Sequence, residues 1–332
     1  MDKTSDMSKF HFEEINAFTQ QGRPALGNPA SICLVDHFPH VDVMGQAAKA
    51  LGTAMTTFIS PTGDENVYDI RHFSPDGMEN HVCGHATIAA AEFLARQDPA
   101  LRQGHEIVFK LNPVYGINQD NAFKARIQGH DISLTVPAIL DMREMTDPEF
   151  YKLLTEALRI DADDIDGAVY YAPRILNYVV AFKDEDTFMH MSPDFEKLKK
   201  LAVSDDYKHE GIMATFASAA NGTINDAENE FDIMTRVFLP IIGVDEDVAC
   251  GSANCSVIPY WTMKRKGVFP DDKTEFKAIF PYPPEMANGM EGGLQTLQIN
   301  HEDEEIILTG QATFKKSYDL AVTPQKAPSP KP

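Results

Sequence analysis

Tyr68-Asp69-Ile70, Phe73-Ser74-Pro75 and Cys83-Gly84-His85-Ala86 follow one another and open onto a largely apolar run ending near Arg96. Phe231-Asp232-Ile233, Phe238-Leu239-Pro240 and Cys250-Gly251-Ser252-Ala253 repeat that succession about 165 residues later, half the length of a 332-residue chain, and lead into a second apolar segment from Cys255 to Met263. Each copy reads as a strand, a proline turn, a Cys-Gly pair and a buried helix. A repeat of that length predicts a duplicated, pseudo-symmetric protein whose two Cys-Gly turns face each other across a central cleft. Chance likeness between short windows is the competing explanation.

Outward from these two stretches, runs rich in β-branched and aromatic residues predict strands at Ala30 to Val35, Thr57 to Ile59, Val67 to Phe73, Glu106 to Leu111, Phe123 to Ile127 and Ile132 to Val136. Helical spacing marks Val43 to Leu51 and Ala86 to Arg96. The charged stretch Asp141 to Pro148 reads as a linker into a helix at Glu149 to Leu158, followed by strands near Ala168 to Tyr171, Tyr178 to Phe182, Gly211 to Ala217, Phe231 to Phe238 and Glu305 to Leu308. The predicted class is α+β, with units at 8–138 and 149–310, the first open to completion by a last strand near 311–320. The proline-rich tail 321–332 is expected to be disordered.

Lys+Arg 29 against Asp+Glu 50 gives a formal charge of -21, which lacks the positive field that phosphate backbones require and argues against a nucleic-acid partner. No apolar stretch approaches the roughly 18 residues that span a bilayer, and Met1 to Asp6 has no apolar signal core. A soluble cytoplasmic protein with no membrane partner is expected. Four cysteines are too few for a disulfide framework in a chain this long, so a special role for any of them would be chemical or metal-binding.

A thiol at the head of a buried helix meets free backbone N–H groups and the positive dipole end, which can depress its pKa from about 8.5 to roughly 3.5–7.5. Cys83 and Cys250 in that setting form a two-base pair: one thiolate takes a proton from a carbon centre and the other thiol returns one to the opposite face. The amides of Gly84, His85, Gly251 and Ser252 would hold a substrate carboxylate, so neither metal nor organic cofactor is expected. His85 is an acid/base candidate or a satisfied helix-start histidine. Asp247, three residues before Cys250, has the spacing of an N-cap as well as a place for a catalytic carboxylate. Cys33 and Cys255 read as packing, the acidic runs Asp161 to Asp166 and Glu302 to Glu305 as solvated surface, and Met189-His190-Met191 as incidental. A zinc site from Cys83, His85, Cys250 and Cys255 would have a spacing unlike any common zinc module.

Three segments together resemble the phenazine-biosynthesis PhzF-like family of the diaminopimelate-epimerase-like superfamily: Phe18-Thr19 with Gly27-Asn28-Pro29-Ala30; Phe73-Ser74-Pro75 with Glu79 and Cys83-Gly84-His85-Ala86-Thr87; and Glu246-Asp247 with Gly251-Ser252-Ala253 and Pro259-Tyr260-Trp261. The resemblance implies two similar domains, each a β-barrel-like sheet around a central helix, with the site between them, and homodimers are common in such families. It implies His85 and Asp247 as site residues; together with Asn28 they would orient the substrate or tune the thiols. In the family's characterised isomerase a glutamate in a Ser-Glu-Thr-x-Phe segment shuttles the proton. The matching segment here is Ala54-Met55-Thr56-Thr57-Phe58, with the non-titrating Met55 at the glutamate position. Many members carry threonine where this chain has Cys250, and the Cys83/Cys250 pair looks like the Cys-Gly turns of diaminopimelate epimerase and proline racemase. The sequence therefore points first to a cofactor-independent racemase or epimerase of an amino acid or related carboxylate. Its rivals are a PhzF-like isomerase using His85 and Asp247, and a non-catalytic binding or scaffold protein on the same fold.

Overall fold

The computed structural model describes residues 8–21, 27–80, 82–112, 121–217, 231–281 and 292–322. In chain order its first part contains β1 (Ser8–Thr19), β2 (Asn28–Leu34), α1 (Val41–Leu51), β3 (Met55–Pro61), β4 (Val67–Phe73), β5 (Glu79–Asn80), α2 (Gly84–Gln97), β6 (Gln103–Lys110), β7 (Ala122–Gln128) and β8 (Asp131–Pro137). The second part contains β9 (Arg143–Glu144), α3 (Pro148–Leu158), β10 (Tyr170–Ala172), β11 (Asn177–Ala181), α4 (Glu185–His190), α5 (Phe195–Ala202), β12 (Gly211–Ala217), β13 (Ile233–Leu239), β14 (Val244–Asp247), α6 (Asn254–Pro259), β15 (Glu275–Phe280), β16 (Gly293–Asn300) and β17 (Glu305–Val322). The class is mixed α+β, as expected.

Register closes part of the sheet into a ring. β1 pairs antiparallel with β2, β2 parallel with β3, β3 antiparallel with β4, and β4 parallel with β6. β6, β7 and β8 then run antiparallel, and β17 closes the circuit by pairing with β8 through Glu305 to Gln311 and with β1 through Gln311 to Val322. Helix α2 packs against β1, β2, β3, β7, β8 and β17, so it lies inside this ring. Every residue from Gly84 to Ala95 is buried, which explains why the segment is apolar on all sides. Its one carboxylate, Glu92, is paired with Arg102 at 2.7 Å. From β10 to β17 the pairings run antiparallel, parallel, antiparallel, parallel, antiparallel and antiparallel, the same order as from β1 to β8.

Several boundaries differ from expectation for local reasons. β1 escapes a period-two reading because register shifts fall between Glu14 and Ile15 and between Ala17 and Thr19, so the buried set Phe10, Phe12, Ile15, Ala17 does not alternate. Phe18 sits at one of these bulges with φ 64, in the left-handed region. It is accommodated by glycines: a Cβ on Gly310 would lie 2.6 Å from its ring, and one on Gly251 would lie 3.2 Å away. The expected linker is structured: Arg143 and Glu144 pair with Tyr171 and Tyr170, and the Asp147 carboxylate caps α3 by accepting from Glu149 N–H at 2.9 Å. Ala321 and Val322 are not tail but the end of β17, opposite Lys9 and Ser8. Residues 323–332 lie outside the described residues. Nor is Asp166 solvated surface, because it pairs with Arg265 and its carbonyl accepts from Tyr260 Oη.

One buried group on β4 makes stability depend on pH. His72 is 1% exposed, its Nδ1 lies 2.9 Å from Thr57 Oγ1, and its Nε2 has no partner among the described residues. Burial, and then the neighbouring His85, push its pKa from 6.5 down to about 3. The folded state holds this imidazole neutral while the unfolded chain protonates it near 6.5, so its contribution is full above that pH and is lost as pH falls towards about 3. The expected acid-side loss reaches roughly 5 kcal/mol. In urea unfolding, His72→Gln should lose about 2–3 kcal/mol less than the parent protein between pH 7 and pH 4.5; identical losses would contradict the assignment.

Candidate active site

The two Cys-Gly turns meet in the middle of the fold. A Cβ built on Gly84 would come 3.3 Å from the Cα of Gly251, and one on Gly251 would come 3.3 Å from the Cα of Gly84. Only glycine lets two backbones approach this closely. The cysteines preceding them, each 6% exposed, both line a cavity of about 570 Å³, together with His85, Asp247, Ser252, Asn80 and Met55. That size falls in the range of about 300–1,000 Å³ typical of small-molecule sites.

Cys83 is the N-cap residue of α2, in extended conformation. Its Sγ lies 3.3 Å from His85 Nδ1. Cys250 is placed differently. A turn at Gly251 to Ala253, with Asn254 and Cys255 N–H bonded to the carbonyls of Gly251 and Ser252, separates it from the six-residue α6, so it does not directly head a regular helix as expected. Pro259 within α6, which lacks a backbone N–H, precedes a π-helical turn at Tyr260–Lys264. The Cys250 Sγ lies 3.3 Å from Ser252 Oγ.

Asn28 joins the two sides. It is fully buried at the start of β2, and its Nδ2 donates to Asp247 Oδ1 at 2.6 Å and to the Ala249 carbonyl at 2.9 Å. An amide nitrogen carries two hydrogens. Both are thereby committed, so His85 Nδ1, 3.4 Å away, is left to the Cys83 thiol. Asp247 ends β14, lines the cavity and accepts from Asn28; it does not cap α6, whose N-cap is Ala253. Glu246 beside it makes a two-toothed ion pair with the buried Arg236, at 2.7 and 2.9 Å, which fixes β14 against β13.

The electrostatics correct one expectation outright. Burial pushes the Cys83 thiol up to about 12, although the N–H groups of Ala86 and His85 face its sulfur and pull the other way; the Asp247 carboxylate adds to the rise. Burial, then Asp247, hold Cys250 well above the ordinary thiol range, against Ser252 and the Ala253 N–H. Two or three N–H dipoles do not compensate for removing a thiolate from water. The His85 imidazole moves down through burial, opposed by Asp247. The site therefore holds neutral thiols and a neutral imidazole, with Cys83 S–H placed to donate to His85 Nδ1.

The remaining sequence candidates distribute unevenly. Gly84, Gly251 and Ser252 line the cavity. His85 lines it too, with its N–H also acting on the Cys83 sulfur. Cys33 is packed in β2, whereas Cys255, expected to be packing, also borders the cavity. Met55 lies on the cavity wall, where its sulfur accepts from Asn80 Nδ2 at 3.8 Å. Glu79 is taken up by Arg71 in two contacts of 2.7 and 2.6 Å. Sequence reasoning did not find Asn80, Arg174 and Glu210, which also line the cavity from short loops and strand ends with no local motif. Among the described residues no group of three or more His, Cys, Asp and Glu could hold a metal ion, and no helix is long and apolar enough to cross a membrane.

The profile described as phenazine biosynthesis-like protein (PhzC-PhzF) matches residues 15–317. A protein named as an uncharacterized isomerase from Halalkalibacterium halodurans is 27% identical over 298 residues, covering 90% of this chain and 93% of the relative. A PhzF-family crystal structure from Enterococcus faecalis superposes with a TM-score of 0.69 at 23% identity, covering 94% of this chain and 99% of the other. A hydroxyproline epimerase from Agrobacterium vitis, solved with trans-4-hydroxy-L-proline, superposes with a TM-score of 0.54 at 12% identity, covering 95% and 92%, a likeness of fold alone.

Proposed function

The chain belongs to the phenazine biosynthesis-like (PhzC-PhzF) protein family, and from that premise we propose that it is a cofactor-independent isomerase that inverts a carbon next to a carboxylate. Relatives named as isomerases support the reaction class. The observation that carries the subtype is the presence of Cys83 and Cys250 on one cavity, each at 6% exposure and each with a different polar partner. The repeated pairing order of β1 to β8 and β10 to β17 supports reading the halves as pseudo-symmetric, with the site between them.

The partners assign the roles. Cys83 is the base, because His85 Nδ1 at 3.3 Å can take its proton and form a thiolate–imidazolium pair; Asp247 supports the cation of that pair while opposing its thiolate. Cys250 has the Ser252 hydroxyl at 3.3 Å and no imidazole bonded to its sulfur to take the proton, so it stays S–H and acts as the acid. The substrate carbon lies between them, and its carboxylate sits on the amides of Gly84, Gly251 and Ser252, which stabilise the charge that develops when the carbon loses its proton. Met55 at the family's glutamate position leaves no carboxylate there to shuttle a proton along an unsaturated substrate.

The test is proton exchange at carbon. In deuterated buffer the protein should replace the α-hydrogen of at least one member of a panel of D- and L-amino acids and 2-hydroxy acids, read by loss of the α-proton NMR signal. No exchange across the panel at millimolar concentration would contradict the proposal.

A further inference from the structure

The thiol end of the cavity is only part of it. Val82, Phe123, Val136, Ile139, Leu239 and Ile242 form apolar wall, and Arg174 is the one lysine or arginine lining it among the described residues. Arg174 is carried by the turn between β10 and β11. There the Ile175 N–H bonds the Ala172 carbonyl at 3.3 Å, with Pro173 and Arg174 at the two central positions. Leu176 follows with φ 52, in the left-handed region that a branched residue rarely adopts, and its carbonyl is held by the Glu210 N–H at 2.6 Å. Strain of this kind persists where surrounding structure over-determines it and clusters at ligand sites.

Arg174 is exposed at the rim of the cavity and makes no hydrogen bond or ion pair among the described residues, although Glu210 lines the same cavity. The Glu210 side chain as a whole is exposed, yet the surroundings of its carboxyl desolvate it and push its pKa up. A guanidinium carried on a hydrogen-bonded turn beside an apolar wall, with none of its donors bonded among the described residues, suits a planar anion. The cavity also has far more room than alanine or proline would fill.

We propose that the substrate is elongated and carries two anionic ends: a carboxylate beside the inverted carbon, an apolar body along the wall, and a distal carboxylate or phosphate bound by Arg174. This rests on the proposed reaction only for the placement of the first carboxylate, and Arg174 acts as a specificity-determining residue that touches no reacting atom.

The test is equilibrium binding by calorimetry to the intact protein and to Arg174→Met and Arg174→Lys. The ligands are glutarate, pimelate and 5-phosphonopentanoate, with valerate and heptanoate as matched monoanions. At least one doubly anionic ligand should bind about 10-fold or more tightly than its monoanionic match. Arg174→Met should bring the ratio close to one while Arg174→Lys keeps part of it. Preference for the dicarboxylates or for the phosphonate identifies the distal group. Equal affinity of mono- and dianions, or a preference that survives Arg174→Met, would overturn the inference. Because no turnover is required, α-proton exchange without dianion preference sinks this inference alone, whereas dianion preference without exchange sinks the proposed reaction and leaves the distal subsite standing.

Discussion

Replacing Cys83 by serine is expected to lower α-proton exchange by about 10²–10⁴-fold, the range for loss of one acid/base group, with little change in unfolding midpoint. A hydroxyl fits the space of the sulfur but is far too weak an acid to form an ion pair with an imidazole. Cys250→Ser should give a loss of the same order, because the acid is then also a poor proton donor. The pH profile separates this scheme from a free-thiolate mechanism. Moving a proton from Cys83 to His85 leaves the total protonation of the pair unchanged, so kcat/KM should be flat from about pH 6.5 to 9. It should fall only below the His85 pKa, which burial holds under 6.5. An inflection near the ordinary thiol value of about 8.5 would show that Cys83 ionises to solvent instead. Activity surviving both serine substitutions would remove the thiols from the mechanism.

Asn28→Leu is the second large effect. The substitution keeps the volume but leaves the Asp247 carboxylate and the Ala249 carbonyl without the donors now at 2.6 and 2.9 Å. The buried Ala249 carbonyl left unsatisfied costs about 1–3 kcal/mol, whereas the partly buried Asp247 can turn to water in the cavity, so stability should drop by roughly 1–3 kcal/mol. Exchange should fall about 10²-fold in the protein that remains folded, since Asp247 is no longer held where it supports the imidazolium. Urea unfolding and exchange rates measured on one preparation check both parts. A stable variant with full activity would show that Asn28 does not organise the site.

The Cys-Gly turns were legible because their requirements are local: a cysteine, a glycine without which the backbones could not touch, and an apolar segment long enough to be a buried helix. The α+β class and most strands were legible for the same reason. β1 was not, because its bulges break the alternation and Glu13-Glu14 interrupts the apolar run, while its pairing with β17 spans almost the whole chain. The titration of the thiols was not legible, because a helix head can be recognised from sequence, whereas the depth at which a sulfur is buried depends on the whole ring around α2. Arg174 and Glu210 had no signal at all. They meet the cavity only because β10, β11 and β12 lie side by side, and nothing in the residues flanking either one announces a ligand.

The central claim is that two sulfurs serve opposite faces of one carbon, and the distribution of label in the first few per cent of reaction tests it most directly. With a substrate taken from the exchange panel in deuterated buffer, the product should carry deuterium at the inverted carbon from the start, while unreacted substrate recovered at the same moment retains protium. Label entering recovered substrate and product at equal rates, or product that keeps the original proton, would mean that a single group works on both faces and that the paired-thiol account is wrong.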